Sequence, residues 1–135
     1  MENLEKECIV AIDIGLKRIG IAKSALGIVL PLNPIIRYNR NQAASEVKEC
    51  IIKERAKVLV CGIPQDNEEM CRRIYHFIKL LELDSSIKLV YIDESFSSHE
   101  ALSKMAGSKK ARKKDGSLDS LAACVILERY LMRQK

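Results

Sequence analysis

Residues 9–15 read Ile-Val-Ala-Ile-Asp-Ile-Gly, and this stretch decides the fold that the sequence predicts. Its apolar residues are mostly β-branched and a glycine ends it, which indicates a strand buried on both faces of a sheet. Asp13 interrupts the apolar run, and a buried carboxylate is costly unless a cation or hydrogen-bond donors compensate its charge. Asp13 therefore either accepts hydrogen bonds from the following turn or belongs to a binding site.

Two later segments favour a binding site. Asp93 and Glu94 end a second apolar run, and Asp119 opens the last amphipathic stretch of the chain. Three separated carboxylates at the ends of buried elements suggest a site for a divalent metal ion. Mg²⁺, or Mn²⁺ in its place, accepts oxygen ligands alone, so no His or Cys is needed. Adjacent strand residues point to opposite faces, so only one of Asp93 and Glu94 can face the metal. For Asp119 the alternative role is pairing with the helix dipole.

The length and composition fit one domain, residues 1–135, of a protein that is neither exported nor bound to a membrane. No apolar run approaches the ~20 residues that a membrane span needs. The first five residues are acidic and lack a signal-peptide pattern. Five scattered cysteines without a Cys-x-x-Cys pair argue against a disulfide framework and favour a reducing, cytoplasmic location.

Positive charge is concentrated in one segment. The formal net charge is +5, and between Gly107 and Ser117 five basic residues face only one acid. These residues are Lys109, Lys110, Arg112, Lys113 and Lys114. Such a segment either contacts the phosphates of a nucleic acid or is simply solvated, and the same alternatives apply to Lys17 and Arg18 in the first turn. With four Tyr and two Phe, aromatic stacking on bases is not indicated.

Hydrophobic periodicity predicts the order β-β-β-α-β-α-β-α-α. We expect strands at residues 8–15, 19–23, 28–38, 57–63 and 88–92, with the third at an edge because it contains two prolines. Asn41 is predicted to cap a helix that ends near residue 55, and Asp66 with Glu69 to open the next one. A short helix between Ser97 and Gly107 and a final helix from residue 117 follow.

This order predicts an α/β fold with a mixed five-stranded sheet flanked by helices. In such sheets a site lies beyond the carboxyl ends of the parallel strands, which is where Asp13 and Glu94 belong. Asp119 can join them from the first turn of the last helix. That helix is expected to bury one stripe, formed by Leu118, Leu121, Ala122, Val125 and Leu131.

Residues 13–22 read Asp-Ile-Gly-Leu-Lys-Arg-Ile-Gly-Ile-Ala and resemble the opening Asp-x-Gly-x-Lys-Arg-Ile-Gly-x-Ala signature of one family. This is the YqgF family, also called RuvX or Holliday-junction-resolvase-like proteins. The resemblance continues over nearly the whole chain, at residues 62–64, 93–94, 109–114, 119–123 and Leu127. The chain departs from the family at Ser95, where the family has Arg, at residues 96–98, and at residues 65–69, where a longer loop is usual.

The resemblance implies a ribonuclease-H-like fold and a Mg²⁺-dependent nuclease whose catalytic and metal-binding acids are Asp13, Glu94 and Asp119. It implies structured RNA as the substrate, in particular the 5′ end of the small-subunit (16S) ribosomal RNA precursor. Four-way DNA junctions are the alternative substrate. A non-catalytic RNA- or ribosome-binding factor is a further alternative. The sequence does not decide whether the substrate is RNA or branched DNA, or whether the enzyme is an endonuclease or an exonuclease. It also does not indicate the oligomeric state.

Overall fold

The computed structural model describes residues 7–93 and 117–133, with side chains from Ser120 onward in the second range. Within these residues five strands form one sheet: β1 (Ile9–Ile14), β2 (Arg18–Ala25), β3 (Ile28–Ile36), β4 (Val58–Ile63) and β5 (Lys88–Asp93). The described helices are α1 (Arg40–Lys53), α2 (Glu68–Leu80) and α3 (Ser117–Arg133). The short helix expected between Ser97 and Gly107 lies outside the described residues.

The strands lie in the order β3-β2-β1-β4-β5, with β1 at the centre. β1 pairs antiparallel with β2, and β2 with β3, whereas β4 runs parallel to both β1 and β5. The predicted mixed five-stranded sheet flanked by helices is therefore confirmed. β3 lies at an edge, as its two prolines predict, because proline cannot donate to a second neighbour.

Each face of the sheet carries its own core. Val10, Ile12 and Ile14 pack with residues of α1 and α2, whereas Ile9 and Ala11 pack with residues of α3. Alternation of side chains along β1 produces this division. The strand is buried on both faces, as predicted from its continuous apolar run.

The predicted helix starts are wrong by one or two residues. Asn39, not Asn41, caps α1, because its side chain accepts the Gln42 N–H at 2.7 Å and the Gln42 side chain accepts the Asn39 N–H in return. Asn67, not Asp66, caps α2 by accepting the Met70 N–H at 3.0 Å. α1 also ends before residue 55, since Arg55 has a left-handed φ of 54°.

α3 buries a wider surface than the predicted stripe. Ala122 and Val125 are buried as expected, but so are Ala123, Cys124, Ile126, Leu127 and Tyr130, while Leu121 and Leu131 are half-buried. The helix contacts all five strands, so a single row of apolar residues is too narrow to cover them. The side chain of Leu118 lies outside the described residues. No helix in the described part of the chain is long and apolar enough to cross a membrane.

Candidate functional site

Asp13 lies near the carboxyl end of β1 on the face that α3 covers. Ile9 and Ala11 belong to the core beneath α3, and alternation places Asp13 on the same side. Its neighbours Ile12 and Ile14 point to the opposite face. The Asp13 side chain is half-buried, so its carboxylate lies at the border between the core and solvent.

Glycines flank Asp13 on both neighbouring strands. On β2, Gly20 is the residue paired with Asp13. On β4, Cys61 is paired with Ile12, so the next residue, Gly62, lies beside Asp13. Neither adjacent strand therefore places a side chain beside the carboxylate. The register between β2 and β3 also shifts at this point, between Ile19 and Ile21. Glycine is common at such irregular positions of a strand, because it has no side chain to pack.

A buried serine connects α3 to this part of the sheet. The Ser120 hydroxyl accepts the Ile21 N–H at 3.4 Å and donates to the carbonyl oxygen of Leu32 at 2.7 Å. Ser120 directly follows Asp119, and Ile21 directly follows Gly20, the partner of Asp13. The first turn of α3 is consequently held beside the segment of β2 that pairs with Asp13. The sequence offers no signal for this contact beyond the serine itself.

Of the adjacent acids at the end of β5, Asp93 lies on the face opposite Asp13. Tyr91 packs against the α1 and α2 core, and Ile92 packs in the α3 core, so alternation returns Asp93 to the side of α1 and α2. The Asp93 carbonyl oxygen accepts a hydrogen bond from Arg129 of α3 at 2.9 Å. Glu94 lies outside the described residues.

The turn between β1 and β2 exposes both predicted phosphate-binding side chains, Lys17 and Arg18. Gly15 N–H donates to the Arg18 carbonyl at 2.9 Å, and Arg37 closes the turn from the end of β3. The Arg37 N–H bonds to the Lys17 carbonyl at 2.9 Å, and its guanidinium bonds to the Gly15 carbonyl at 2.6 Å. Sequence reasoning missed Arg37, because nothing in its local pattern distinguishes it from a solvated arginine.

The remaining predicted site residues are placed only in part. Asp119 lies in the first turn of α3, as expected, but its side chain is outside the described residues. Lys109, Lys110, Arg112, Lys113 and Lys114 also lie outside them. Among the described residues no three His, Cys, Asp or Glu side chains form a cluster that could hold a metal ion. Asp13 is therefore the one predicted metal ligand whose side chain the structure describes.

The sheet order and the helices on both faces define a class, the ribonuclease-H-like fold of RuvC-type resolvases. The structure of Thermus thermophilus RuvC in complex with a Holliday junction substrate superposes with a TM-score of 0.60. The two sequences are 12% identical, and the match covers 94% of this chain and 96% of the RuvC chain. This likeness confirms the predicted fold.

The chain belongs to the RuvX family, whose model, described as Holliday junction resolvase, matches residues 7–133. A relative from Helicobacter hepaticus named "Putative pre-16S rRNA nuclease" is 46% identical over 134 residues, covering 95% of this chain and 97% of that protein. A relative of the same name from a Sulfurovum species is 51% identical over 125 residues, covering 90% and 95%. The resemblance seen in the motifs is thus confirmed, and membership of this family supports a nuclease.

Proposed function

We propose that this protein is a metal-dependent nuclease that hydrolyses phosphodiester bonds at the 5′ end of the small-subunit (16S) ribosomal RNA precursor. The observation that carries the proposal is the position of Asp13. Its carboxylate lies at the carboxyl end of the central strand, on the α3 face, between two glycines and next to the anchored first turn of α3. The name shared by relatives at 46–51% identity supports the choice of substrate.

The donor chemistry fits Mg²⁺ or Mn²⁺. Asp13 offers hard carboxylate oxygens, and neither β2 nor β4 places a side chain next to them. Asp13, Glu94 and Asp119 would hold the ions. Divalent ions held there would supply activation of a water molecule near neutral pH and stabilisation of the negative charge that develops on the phosphate.

The other groups of the chain position the nucleic acid. Lys17 and Arg18 project from the β1–β2 turn, which is at the same end of β1 as Asp13, and are exposed enough to contact phosphates beside the cleaved bond. The basic residues 109–114 would add sequence-independent binding to phosphates. Cys8 and Cys50 are free thiols, which fits a reducing cytoplasm as the place where this protein acts.

A second candidate function is the cleavage of four-way DNA junctions. It is favoured by the description of the family model and by the fold shared with RuvC. The same carboxylates would serve both reactions, since a phosphodiester is cleaved in each. RNA and DNA must therefore be compared directly.

The test incubates the purified protein and Mg²⁺ or Mn²⁺ with labelled precursor RNA or with a labelled four-way DNA junction. We expect metal-dependent cleavage of the RNA by the wild type. Asp13→Asn should lower the rate by about 100-fold or more, the scale on which losing one stabilising group in a reacting site lowers kcat. Asp66→Asn is the matched control, because Asp66 is an exposed acid in the β4–α2 loop.

The outcomes separate the candidate functions. Cleavage of the junction alone would replace the RNA substrate with branched DNA. Binding of RNA without cleavage of either substrate would indicate a non-catalytic RNA- or ribosome-binding factor. Wild-type turnover by Asp13→Asn would remove Asp13 from the reaction.

A further inference from the structure

An arginine-rich cleft lies at the carboxyl end of β1, on the opposite face of the sheet from Asp13. It has a volume of about 510 Å³, and Ile14, the residue that follows Asp13, forms part of its wall. Five basic side chains line it: Arg37, Arg40, Arg72, Arg73 and His76. We define these five residues and the space between them as the arginine cleft.

Three separate elements bring these side chains together. Arg37 follows β3, Arg40 is the first residue of α1, and the other three lie along α2. Because the contributing residues are spread over the chain, no run of basic sequence marks the cleft. Met70 and Phe77 supply an apolar wall beside the charges.

The charges of the arginine cleft are only partly compensated within the described residues. Arg73 pairs with Glu69 at 2.9 Å, and Arg37 lies 5.2 Å above the Phe77 ring while bonding to the Gly15 carbonyl. Within residues 7–93 and 117–133, Arg40 and Arg72 form no ion pair, and no Asp or Glu lines the cleft. Burial lowers the pKa of Arg37, and the positive charge of Arg40 lowers it further. A bound anion would relieve this repulsion between neighbouring guanidinium groups.

The position of the cleft points to the anion. Asp13 and Ile14 are consecutive residues that face opposite sides of the sheet. The turn that carries Lys17 and Arg18 follows them at the carboxyl end of β1, between the two faces. A nucleic-acid strand leaving Asp13 can pass around this turn and enter the arginine cleft. Guanidinium groups match the planar, bidentate geometry of phosphate, and the apolar wall can contact sugars and bases.

We propose that the arginine cleft binds the phosphate backbone of the single-stranded RNA that flanks the cleaved bond. This inference rests on the proposed nuclease function for the identity of the strand. It assigns binding, not chemistry, to Arg40 and Arg72, whose side chains are exposed and unpaired among the described residues. Arg37 and Arg73 are less suitable for a test because each already bonds within the protein.

The test measures the affinity of a labelled single-stranded RNA by fluorescence anisotropy in EDTA, over a range of salt concentrations. In the double variant Arg40→Gln with Arg72→Gln, the salt slope should fall by about 0.7 for each phosphate that is no longer neutralised, hence by about 1.4. Such a change corresponds to roughly a 25-fold loss of affinity at 0.1 M salt. The double variant Arg40→Lys with Arg72→Lys should recover most of the slope, because it keeps the charge.

The matched control is Lys57→Gln with Lys88→Gln, which removes the same charge at the amino ends of β4 and β5. Equal affinity and slope in the cleft variant and this control would overturn the inference, and so would absence of RNA binding by the wild type. Because binding is measured without metal, the result does not depend on cleavage. A wild type that binds RNA through the cleft but cleaves nothing would refute the proposed nuclease function alone.

Discussion

Ser120 on α3 accepts the backbone N–H of Ile21 on β2 at 3.4 Å, in an environment where the serine is 2% exposed. The same hydroxyl donates to the Leu32 carbonyl at 2.7 Å, so one side chain bridges two strands where their register shifts. Both bonded residues directly follow a residue of the candidate site: Ser120 follows Asp119, and Ile21 follows Gly20, the partner of Asp13. The position of the first turn of α3 is thus fixed by a directional bond as well as by apolar packing.

Replacing Ser120 should weaken both the fold and the reaction. Ser120→Ala removes the partner of the buried Ile21 N–H and of the half-buried Leu32 carbonyl, which costs about 1–3 kcal/mol of unfolding free energy. Because this hydroxyl then no longer bonds α3 to β2, the cleavage rate should fall by more than the loss of folded protein accounts for. Ser24→Ala is the control, since Ser24 is also 2% exposed on the α3 face of β2. Chemical denaturation and cleavage rates, measured below the transition, test this, and equal behaviour of the two variants would contradict it.

The sequence predicts the parts of this fold that depend on repeating patterns. Apolar runs of the right length identify all five strands, and the two prolines place β3 at an edge. The exact helix starts escape prediction because Asn39 and Asn67 each lie within two residues of another capping candidate, and only the backbone decides which one bonds. The breadth of the buried surface on α3 is not predictable either, since it depends on how many strands the helix crosses.

For the candidate site, the sequence identifies Asp13 but not the contacts around it. Asp13 is conspicuous because it is charged within an apolar strand, and it lies near the carboxyl end of β1, as expected. Ser120 and the arginine cleft have no comparable signal. Ser120 acts through backbone groups of distant strands, and the arginines come from three elements that meet only in the folded chain.

Gly15 should not tolerate a side chain. A Cβ atom at this position would lie 2.8 Å from the Arg18 carbonyl oxygen, the backbone atom that accepts the Gly15 N–H. Gly15→Ala should therefore lower the unfolding free energy by about 1–3 kcal/mol, as other overpacked substitutions do. It should also weaken RNA binding, because the turn carries Lys17 and Arg18. For the stability measurement, Leu16→Ala, at a residue that is 63% exposed, is the control, and an unchanged Tm in Gly15→Ala would show that the turn relaxes easily.

The thiols of Cys8 and Cys50 should react slowly at neutral pH. Burial raises the pKa of both thiols, and the negative charge of Glu54 raises both pKa values further. The reactive thiolate is therefore scarce below the ordinary thiol pKa, and alkylation should accelerate as pH rises above it. Glu54→Gln removes the repulsion, so both thiols should react faster at pH values near 8. Mass spectrometry after iodoacetamide treatment resolves each site, with Glu49→Gln on α1 as control. A slower reaction in Glu54→Gln would refute this assignment.

The basic residues between Gly107 and Ser117 should contribute to affinity and leave the chemical step unchanged. Changing Lys109, Lys110, Arg112, Lys113 and Lys114 to Gln should reduce the salt slope of RNA binding by about 0.7 for each phosphate that these side chains neutralise in the wild type. The value of kcat should stay close to that of the wild type, while KM rises. Combination with the Arg40 and Arg72 changes tests whether the two surfaces act independently. An unchanged slope in the five-residue variant would mean that the segment is only solvated.

Glu94, and not Asp93, should be the second acid of the metal site. Tyr91 packs in the core beneath α1 and α2, and Ile92 packs in the core beneath α3. Because side chains alternate along a strand, Asp93 lies on the face of α1 and α2, and we expect Glu94 to lie on the same face as Asp13. Glu94→Gln should then weaken Mn²⁺ binding by at least about 10-fold and abolish cleavage, with little change in unfolding free energy. Asp93→Asn should keep both metal binding and cleavage, and any loss should appear in stability. Calorimetric titration of Mn²⁺ into each variant, beside Asp13→Asn as the positive control, compares them without a nucleic-acid substrate. Weaker Mn²⁺ binding in Asp93→Asn, with normal binding in Glu94→Gln, would mean that the metal lies on the face of α1 and α2.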